Sequence, residues 1–462
     1  MESIKNKIPA QTWTAWGFLW LIYAMNANIR ELLNRISPYI INEYHITATT
    51  FGLLQTCALF GLAIGSIPLS LWADKGGLGW ARKKRSWILA SVYLTATLLC
   101  GIQPVSAVFA VFFILNVVRG LTSGAGEACE VAMMMEWVPR ERTGFFAGLH
   151  HTGYPWGTLL GGIIVTIYLT TFGDIIGANA WRYTFFIFPI IGYVVWFFYY
   201  RWSNPINYRH FQENAKAAGF STQLGEGSEK NDYIPEKGIL RRCFKNPNII
   251  GVVVVAFCCL FCYSGINFWL TPYITFVGNF DPALAAGLSV VFTITGGLGQ
   301  VFWGGISDKI GTKTALLICT AWLVLAFVLM QFASISLTLL IVLQLFMGFS
   351  LNAVYAMIYK FIAVSSEKGG IVMGNSLIVF GMYFGGGLAT YILGVFIDAG
   401  GGWTTASGYY TGLYVMAGVM VIGFLVTLLF TRETNGPRFK RDFSLVSLKS
   451  CNLEDAADYT KN

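Results

Sequence analysis

The sequence predicts an all-α membrane protein with twelve transmembrane helices arranged as two six-helix halves. Three observations predict it. Of 462 residues, 55% are hydrophobic and only 12% charged, whereas soluble domains carry about 25% charged residues. The apolar residues fall into long runs, and about 20 such residues are needed to cross a hydrocarbon layer roughly 30 Å thick. A short polar loop also recurs once in each half of the chain. A soluble core could not hide this much apolar side chain, even divided among several domains. Barrel strands would alternate apolar and polar residues, and these runs do not.

The twelve runs are 13–38, 48–73, 84–103, 106–138, 143–171, 181–201, 248–276, 284–306, 314–333, 336–363, 370–397 and 408–430. The fourth, fifth and tenth exceed what a bilayer needs and are expected to tilt or protrude. The first run follows Lys5 and Lys7 but is interrupted by Asn26, Asn28, Arg30 and Glu31, with no small-residue cleavage site behind it. It therefore reads as a spanning helix and not as a cleaved signal peptide. Lys and Arg gather in the even-numbered loops (Lys75 and the basic run 82–85, Arg140 and Arg142, Lys309 and Lys313, Lys368) and in the tail. Arg182 is the main exception in the odd-numbered ones. Basic loops stay cytoplasmic, so both termini are expected on the cytoplasmic side of the inner (plasma) membrane. The net charge of +8 follows from that bias, and no nucleic-acid partner is implied.

The polar stretch 203–247 holds Pro205, Gly225, Gly227 and Pro235. It reads as a cytoplasmic linker between an N-terminal half (1–202) and a C-terminal half (248–431), with a cytoplasmic tail at 432–462. An amphipathic piece at 211–220 is expected on the membrane surface. Most of the nine cysteines lie in apolar runs. Cys259 and Cys262 have metal-like spacing but no second pair and no nearby His, so they read as packing. No metal or cofactor is implied.

The repeated loop reads Leu71-Trp72-Ala73-Asp74-Lys75-Gly76-Gly77 after the second run and Gly304-Gly305-Ile306-Ser307-Asp308-Lys309-Ile310-Gly311 after the eighth. The two aspartates are 234 residues apart, about half the chain. Two such loops at one place in two six-helix units indicate parallel repeats, with a substrate site expected between them near the midplane. The pattern resembles the loop between helices two and three of the major facilitator superfamily. The resemblance implies that Asp74, Lys75, Asp308 and Lys309 form a conformational latch that opens as the halves rock. Ser70 stands where the family has glycine, and the first loop has extra residues before its basic run, so the two latches are not expected to be equivalent. Arg119-Gly120, Gly126-Glu127-Ala128, Trp137-Val138-Pro139, Glu141-Arg142, Gly148, Gly153 and Trp181-Arg182-Tyr183 further resemble the anion:cation symporter branch. Ala132 departs from a proline found in many members. That branch moves organic anions such as sugar acids and phosphorylated metabolites, often with protons.

Charged side chains inside a membrane cost about 3 kcal/mol or more at its centre, so they face cavities and pair. In the first span Asn26, Arg30 and Asn34 form a stripe at i, i+4, i+8 that is expected to line the substrate site, while Glu31 and Arg35 are spaced to neutralise each other as structural charges. A guanidinium can hold a carboxylate or phosphate by two parallel hydrogen bonds, and the resemblance puts an anion-binding arginine at Arg30. In the fourth span Arg119, Ser123 and Glu127 share a face. The resemblance makes Glu127 the proton-coupling group, with Glu130 able to share that role and Arg119 structural. A structural Arg30–glutamate bridge is the alternative reading of Arg30. His150 matches a histidine of phosphate-ester transporters of the branch and is expected in the substrate site, where an imidazole suits proton or anion handling, with a neutral histidine packed between helices as the alternative.

In the C-terminal half, Tyr263, Asn267, Trp269, Asn352, Tyr355, Asn375 and Tyr383 are polar candidates suited to hydroxyl or amide groups of a substrate, with ordinary packing as the alternative for each. Charge recognition is thus expected in the first half. The function expected is a monomeric secondary active transporter, moving a small organic anion by alternating access with proton coupling. A carrier of a neutral or zwitterionic solute, such as a polyol or betaine, is the second reading. A transporter-like sensor is a third, for which the short tail offers no output domain. No nucleotide loop, nucleophile motif or metal cluster points to an enzyme.

Overall fold

Prolines and small polar side chains set where the helices stop. The computed structural model describes residues 7–76, 79–139, 142–222, 239–365 and 371–434. The first expected span is α1 (Ala10–Arg35) followed by α2 (Ser37–Tyr44). They part because Pro38 has no N–H for the carbonyl of Asn34. The Ser37 hydroxyl donates to that carbonyl instead, at 2.7 Å. Next come α3 (Ala48–Asp74), α4 (Lys83–Gly101), the short α5 (Gln103–Ser106) and α6 (Phe109–Glu136). The fifth span is α7 (Thr143–His151) and α8 (Gly153–Ile176), since Pro155 cannot bond the carbonyl of His151. Then follow α9 (Ala180–Trp202) and α10 (Pro205–Ala217). The Asn204 side chain caps α10 by accepting the Asn207 N–H at 3.0 Å, and Pro205 occupies the first helical position, where a missing N–H loses nothing.

The second half runs α11 (Ile239–Lys245), α12 (Pro247–Pro272), a π-helical turn (Tyr273–Val277), α13 (Pro282–Leu288), α14 (Phe292–Ile310), α15 (Thr312–Leu329), a 3₁₀ turn (Met330–Ile335), α16 (Leu337–Leu351), α17 (Ala353–Ser365), α18 (Ile371–Ala399) and α19 (Ala406–Phe430). Ten helical segments among the described residues are long and apolar enough to cross a membrane. The polar stripe of α1 and the basic start of α4 lower their hydropathy, and with these two the spans number twelve. The chain is an all-helical, multi-pass membrane protein.

Two compact units emerge from the packing of the described residues. Unit 1 comprises Met1–Tyr44, Cys57–Asp232 and Pro282–Gly287, and unit 2 comprises His45–Thr56, Tyr233–Asp281 and Leu288–Asn462. In unit 1, α1 packs on α6, α8 and α9, and α4 packs on α6 and α9. In unit 2, α12 packs on α18 and α19, α15 on α19, and α14 on α16. The first turns of α3 sit in unit 2. There the Asp398 carboxylate accepts the Ala48 and Thr49 N–H groups at 3.0 and 2.8 Å, and the Trp403 indole donates to the Ile46 carbonyl at 3.0 Å. Phe51 stacks on Phe268 with ring centres 4.6 Å apart.

The amphipathic piece expected on the membrane surface has a protein partner. Helix α10 buries Tyr208, Phe211 and Ala215 against Ala15 and Trp137, with the Tyr208 ring edge-on to Trp137 at 5.1 Å. Two lysines at equivalent places also pin helix ends. Lys83, first in α4, donates to the carbonyls of Tyr200, at 2.6 Å, and Ser203 where α9 ends. Lys313, second in α15, donates to the Thr431 carbonyl at 2.9 Å where α19 ends. Cations favour helix C-termini, where carbonyls lack partners.

Candidate functional site

The 3.6-residue period puts Arg119, Ser123 and Glu127 on one face of α6, and that face meets α1. The Arg119 guanidinium donates to the Ile29 carbonyl at 2.7 Å and is 2% exposed. The Ser123 hydroxyl donates to Asn26 Oδ1 at 2.6 Å, and Asn26 Nδ2 donates to the Ser123 carbonyl at 3.2 Å. Glu127 accepts from Arg30 Nη1 at 2.7 Å and from the Tyr23 hydroxyl at 3.2 Å. The three contacts differ in exposure. Arg119, Ser123 and Asn26 are sealed, whereas the Arg30 and Glu127 side chains keep 12% and 22% of their surface open. The ion pair is therefore reachable by water or a small solute, and the other two contacts tie the helices together.

Glu130, one turn on, is fully buried, accepting from Tyr93 at 3.3 Å and Asn26 at 3.5 Å. Glu31 accepts from Asn34 and from the Tyr154 hydroxyl, and the Arg30 guanidinium lies 5.5 Å from the Tyr154 ring centre. Arg35 donates to Asn28 Oδ1 at 2.8 Å and to the Thr158 carbonyl at 2.9 Å. This network needs Gly161, because a Cβ there would lie 1.6 Å from Asn28 Oδ1. His150 is fully buried, its ring stacked on Tyr23 at 5.0 Å, and neither ring nitrogen has a hydrogen-bond partner. It stands behind the ion pair rather than in its open part.

The C-terminal candidates form their own group in unit 2. Tyr263 is buried, edge-on to Phe292 at 6.1 Å and to Tyr355 at 6.3 Å. The Tyr355 hydroxyl is buried without a hydrogen-bond partner. The Asn352 carbonyl accepts from Gln300 at 3.3 Å, and its side chain lies against Gly296. Asn267 is half-buried on the helix that carries Tyr263. The Asn375 side chain lies outside the described residues.

The Asp74 side chain lies outside the described residues, and Lys75 is exposed. Around the first loop, Arg82 pairs with Glu136 through Nη2 at 2.9 Å, while Arg85 donates to the Trp72 carbonyl and lies over its ring at 5.1 Å. In the second, Asp308 pairs with Lys360 of α17, and Lys309 is exposed. Lys360 closes onto the end of α14, where it also bonds Ser307 at 3.2 Å.

The sequence profile of the Major Facilitator Superfamily matches residues 19–291 and again 279–451. The chain belongs to the major facilitator superfamily. Similar proteins include a hexuronate transporter of Bacillus subtilis (strain 168), 23% identical over 91% of this chain and 95% of that one. A glucose-6-phosphate exchanger of Xenopus laevis is 26% identical over 78% of this chain and 70% of that one. Among solved structures, a bacterial homologue of the lysosomal transporter Spinster, in an inward-facing and unoccupied conformation, superposes with a TM-score of 0.71. It is 17% identical and covers 91% of this chain and 98% of that one. Fold and relatives are those of transporters, not enzymes.

For this major facilitator protein, the sequence reading missed two aromatic members of the site. Tyr23 precedes Arg30 by seven residues, two helical turns, and Tyr154 follows His150 by four. Both spacings were legible. Neither tyrosine stood out, because a tyrosine in an apolar run is more often packing than ligand.

Proposed function

We propose that this transporter carries a small organic anion, a carboxylate or sugar acid, in symport with a proton. Arg30 binds the anionic group and Glu127 carries the proton. The observation behind this reading is the 2.7 Å Arg30–Glu127 pair, whose side chains stay partly open while Arg119, Ser123 and Asn26 on the same helix faces are buried. A substrate carboxylate that takes the guanidinium displaces the Glu127 carboxylate, which then binds a proton from water. Arg30 with Glu127 sums to zero charge, and so does Arg30 with the substrate anion and protonated Glu127. Both states avoid an uncompensated buried charge, which is the costly condition in a membrane. The named relatives support the anion class, since hexuronate and glucose 6-phosphate are both anionic.

In the same reading Asn34, Tyr263, Asn267, Asn352, Tyr355 and Asn375 meet uncharged parts of the substrate, Glu130 is a second proton site, and Arg119 and Arg35 are structural. The halves 1–202 and 248–431, joined by 203–247, alternate access, with Asp74, Lys75, Asp308 and Lys309 in the latches. The protein works as a monomer in the inner (plasma) membrane with both termini cytoplasmic.

The test is uptake of D-glucuronate and other sugar acids into proteoliposomes under an imposed pH gradient. Glu127→Gln is expected to abolish gradient-driven accumulation while counterflow persists. Accumulation that survives in Glu127→Gln would remove the coupling assignment.

A further inference from the structure

The coupling reading leaves open what holds Glu127 once Arg30 turns to a substrate. The two carboxylate oxygens have different donors: Arg30 takes Oε2 and the Tyr23 hydroxyl takes Oε1. Tyr23 and Arg30 lie two turns apart on the same side of α1, so both reach α6 at one residue. The phenol is fixed independently of the arginine. Its ring is 3% exposed and stacks on His150 at 5.0 Å with planes 24° apart. The edge of His151 meets it at 6.0 Å. Gly153 opens α8 directly against the ring, where a Cβ would come within 2.9 Å of a ring carbon. The break between α7 and α8 brings these groups together. His150, with neither ring nitrogen bonded, serves here as a wall for the tyrosine.

We propose that Tyr23 is the positioning residue of the coupling site. It keeps Glu127 aimed and hydrogen-bonded while Arg30 is engaged by a substrate anion, so the carboxylate accepts its proton in place. This inference rests on the reading that Glu127 carries the proton. Without the phenol, the Oε1 side of the Glu127 carboxylate loses its Tyr23 donor, and nothing from α1 holds that oxygen when Arg30 turns away.

Tyr23→Phe in the full-length protein deletes the hydroxyl and keeps the ring, its stack on His150 and its fit to Gly153. The carboxyl stretching band of Glu127, assigned by its disappearance in Glu127→Gln, is recorded by infrared spectroscopy in liposomes with saturating D-glucuronate. Gradient-driven D-glucuronate uptake is measured beside it. The expected result in Tyr23→Phe is a band displaced to higher frequency, as for a carboxyl that has lost a hydrogen bond, and a several-fold loss of gradient-driven accumulation, with KM nearly unchanged and the thermal midpoint preserved. A purely structural tyrosine would move the thermal midpoint and leave the band frequency where it was. A Glu127 band at unchanged frequency in Tyr23→Phe overturns the inference while leaving the coupling reading intact. If Glu127→Gln removes no carboxyl band and accumulation persists, the coupling reading falls and this inference falls with it.

Discussion

Removing the Asp398 carboxylate should loosen the first turns of α3. Asp398 accepts from the N–H groups of Ala48 and Thr49, the first two residues of that helix, at 3.0 and 2.8 Å. Those groups have no intrahelical partner. A lost cap costs about 1 kcal/mol, and a negative charge at a helix N-terminus adds about 0.3–1 kcal/mol. The Asp398 side chain is half-buried, so screening does not erase the second contribution, and Asp398→Ala should cost about 2 kcal/mol locally. That corresponds to roughly a 30-fold change in a local opening equilibrium. Hydrogen–deuterium exchange of the peptide covering 45–56 reads this directly, because amides exchange through such local openings. Protection at Ala48 and Thr49 should fall about 30-fold, with a smaller loss in Asp398→Asn, which keeps one acceptor oxygen. The Trp403 bond to Ile46 and the Phe51–Phe268 stack should keep the segment folded. Unchanged exchange over 45–56 in Asp398→Ala would refute the reasoning.

Two further outcomes follow from buried charges away from the ion pair. Arg182 is 2% exposed, donates to Ser106 at 2.7 Å and Glu43 at 3.0 Å, and lies over the Trp181 ring at 4.5 Å. Arg182→Leu should lower the thermal midpoint in detergent, by about 2–3 kcal/mol of stability through the lost charged hydrogen bonds, and an unshifted midpoint would show the cluster to be incidental. Lys83→Met and Lys313→Met keep the side-chain stem but leave the carbonyls at the ends of α9 and α19 unpaired, for about 1–3 kcal/mol each. Being in separate units, the two losses should add, and a double variant no less stable than either single one would contradict that.

Of the fold, the span positions were legible in the chain itself. Apolar length is a local quantity, and each expected run lies within a few residues of a helix or a pair of helices. The breaks were legible only in part. Pro38 and Pro155 are visible in sequence, yet whether a proline kinks a helix or divides it depends on what takes up the orphaned carbonyl, and at Asn34 that is Ser37. Helix α10 shows the opposite limit. Its amphipathic pattern announced an apolar face, but lipid and protein satisfy such a face equally well, and only Ala15 and Trp137 in place beside it decide for protein.

Sequence by itself determined that this chain crosses the membrane as repeated helices. It also picked out Arg30 and Glu127, because charge in an apolar run is costly enough to mark its own position. The tertiary structure alone decided which charges meet. The spacing within α1 allowed Glu31 and Arg35 as a pair, and the loop repeat marked Asp308 as a latch residue without naming its partner. The folded chain brings Glu31 to Asn34 and Tyr154, Arg35 to Asn28 and Thr158, and Asp308 to Lys360. Periodicity fixes the face on which a side chain emerges, whereas a partner on another helix is set by how the helices pack. The Arg30–Glu127–Tyr23 arrangement is the clearest instance, since 97 residues separate Arg30 from Glu127 and 104 separate Tyr23 from it. Helix packing alone closes that distance.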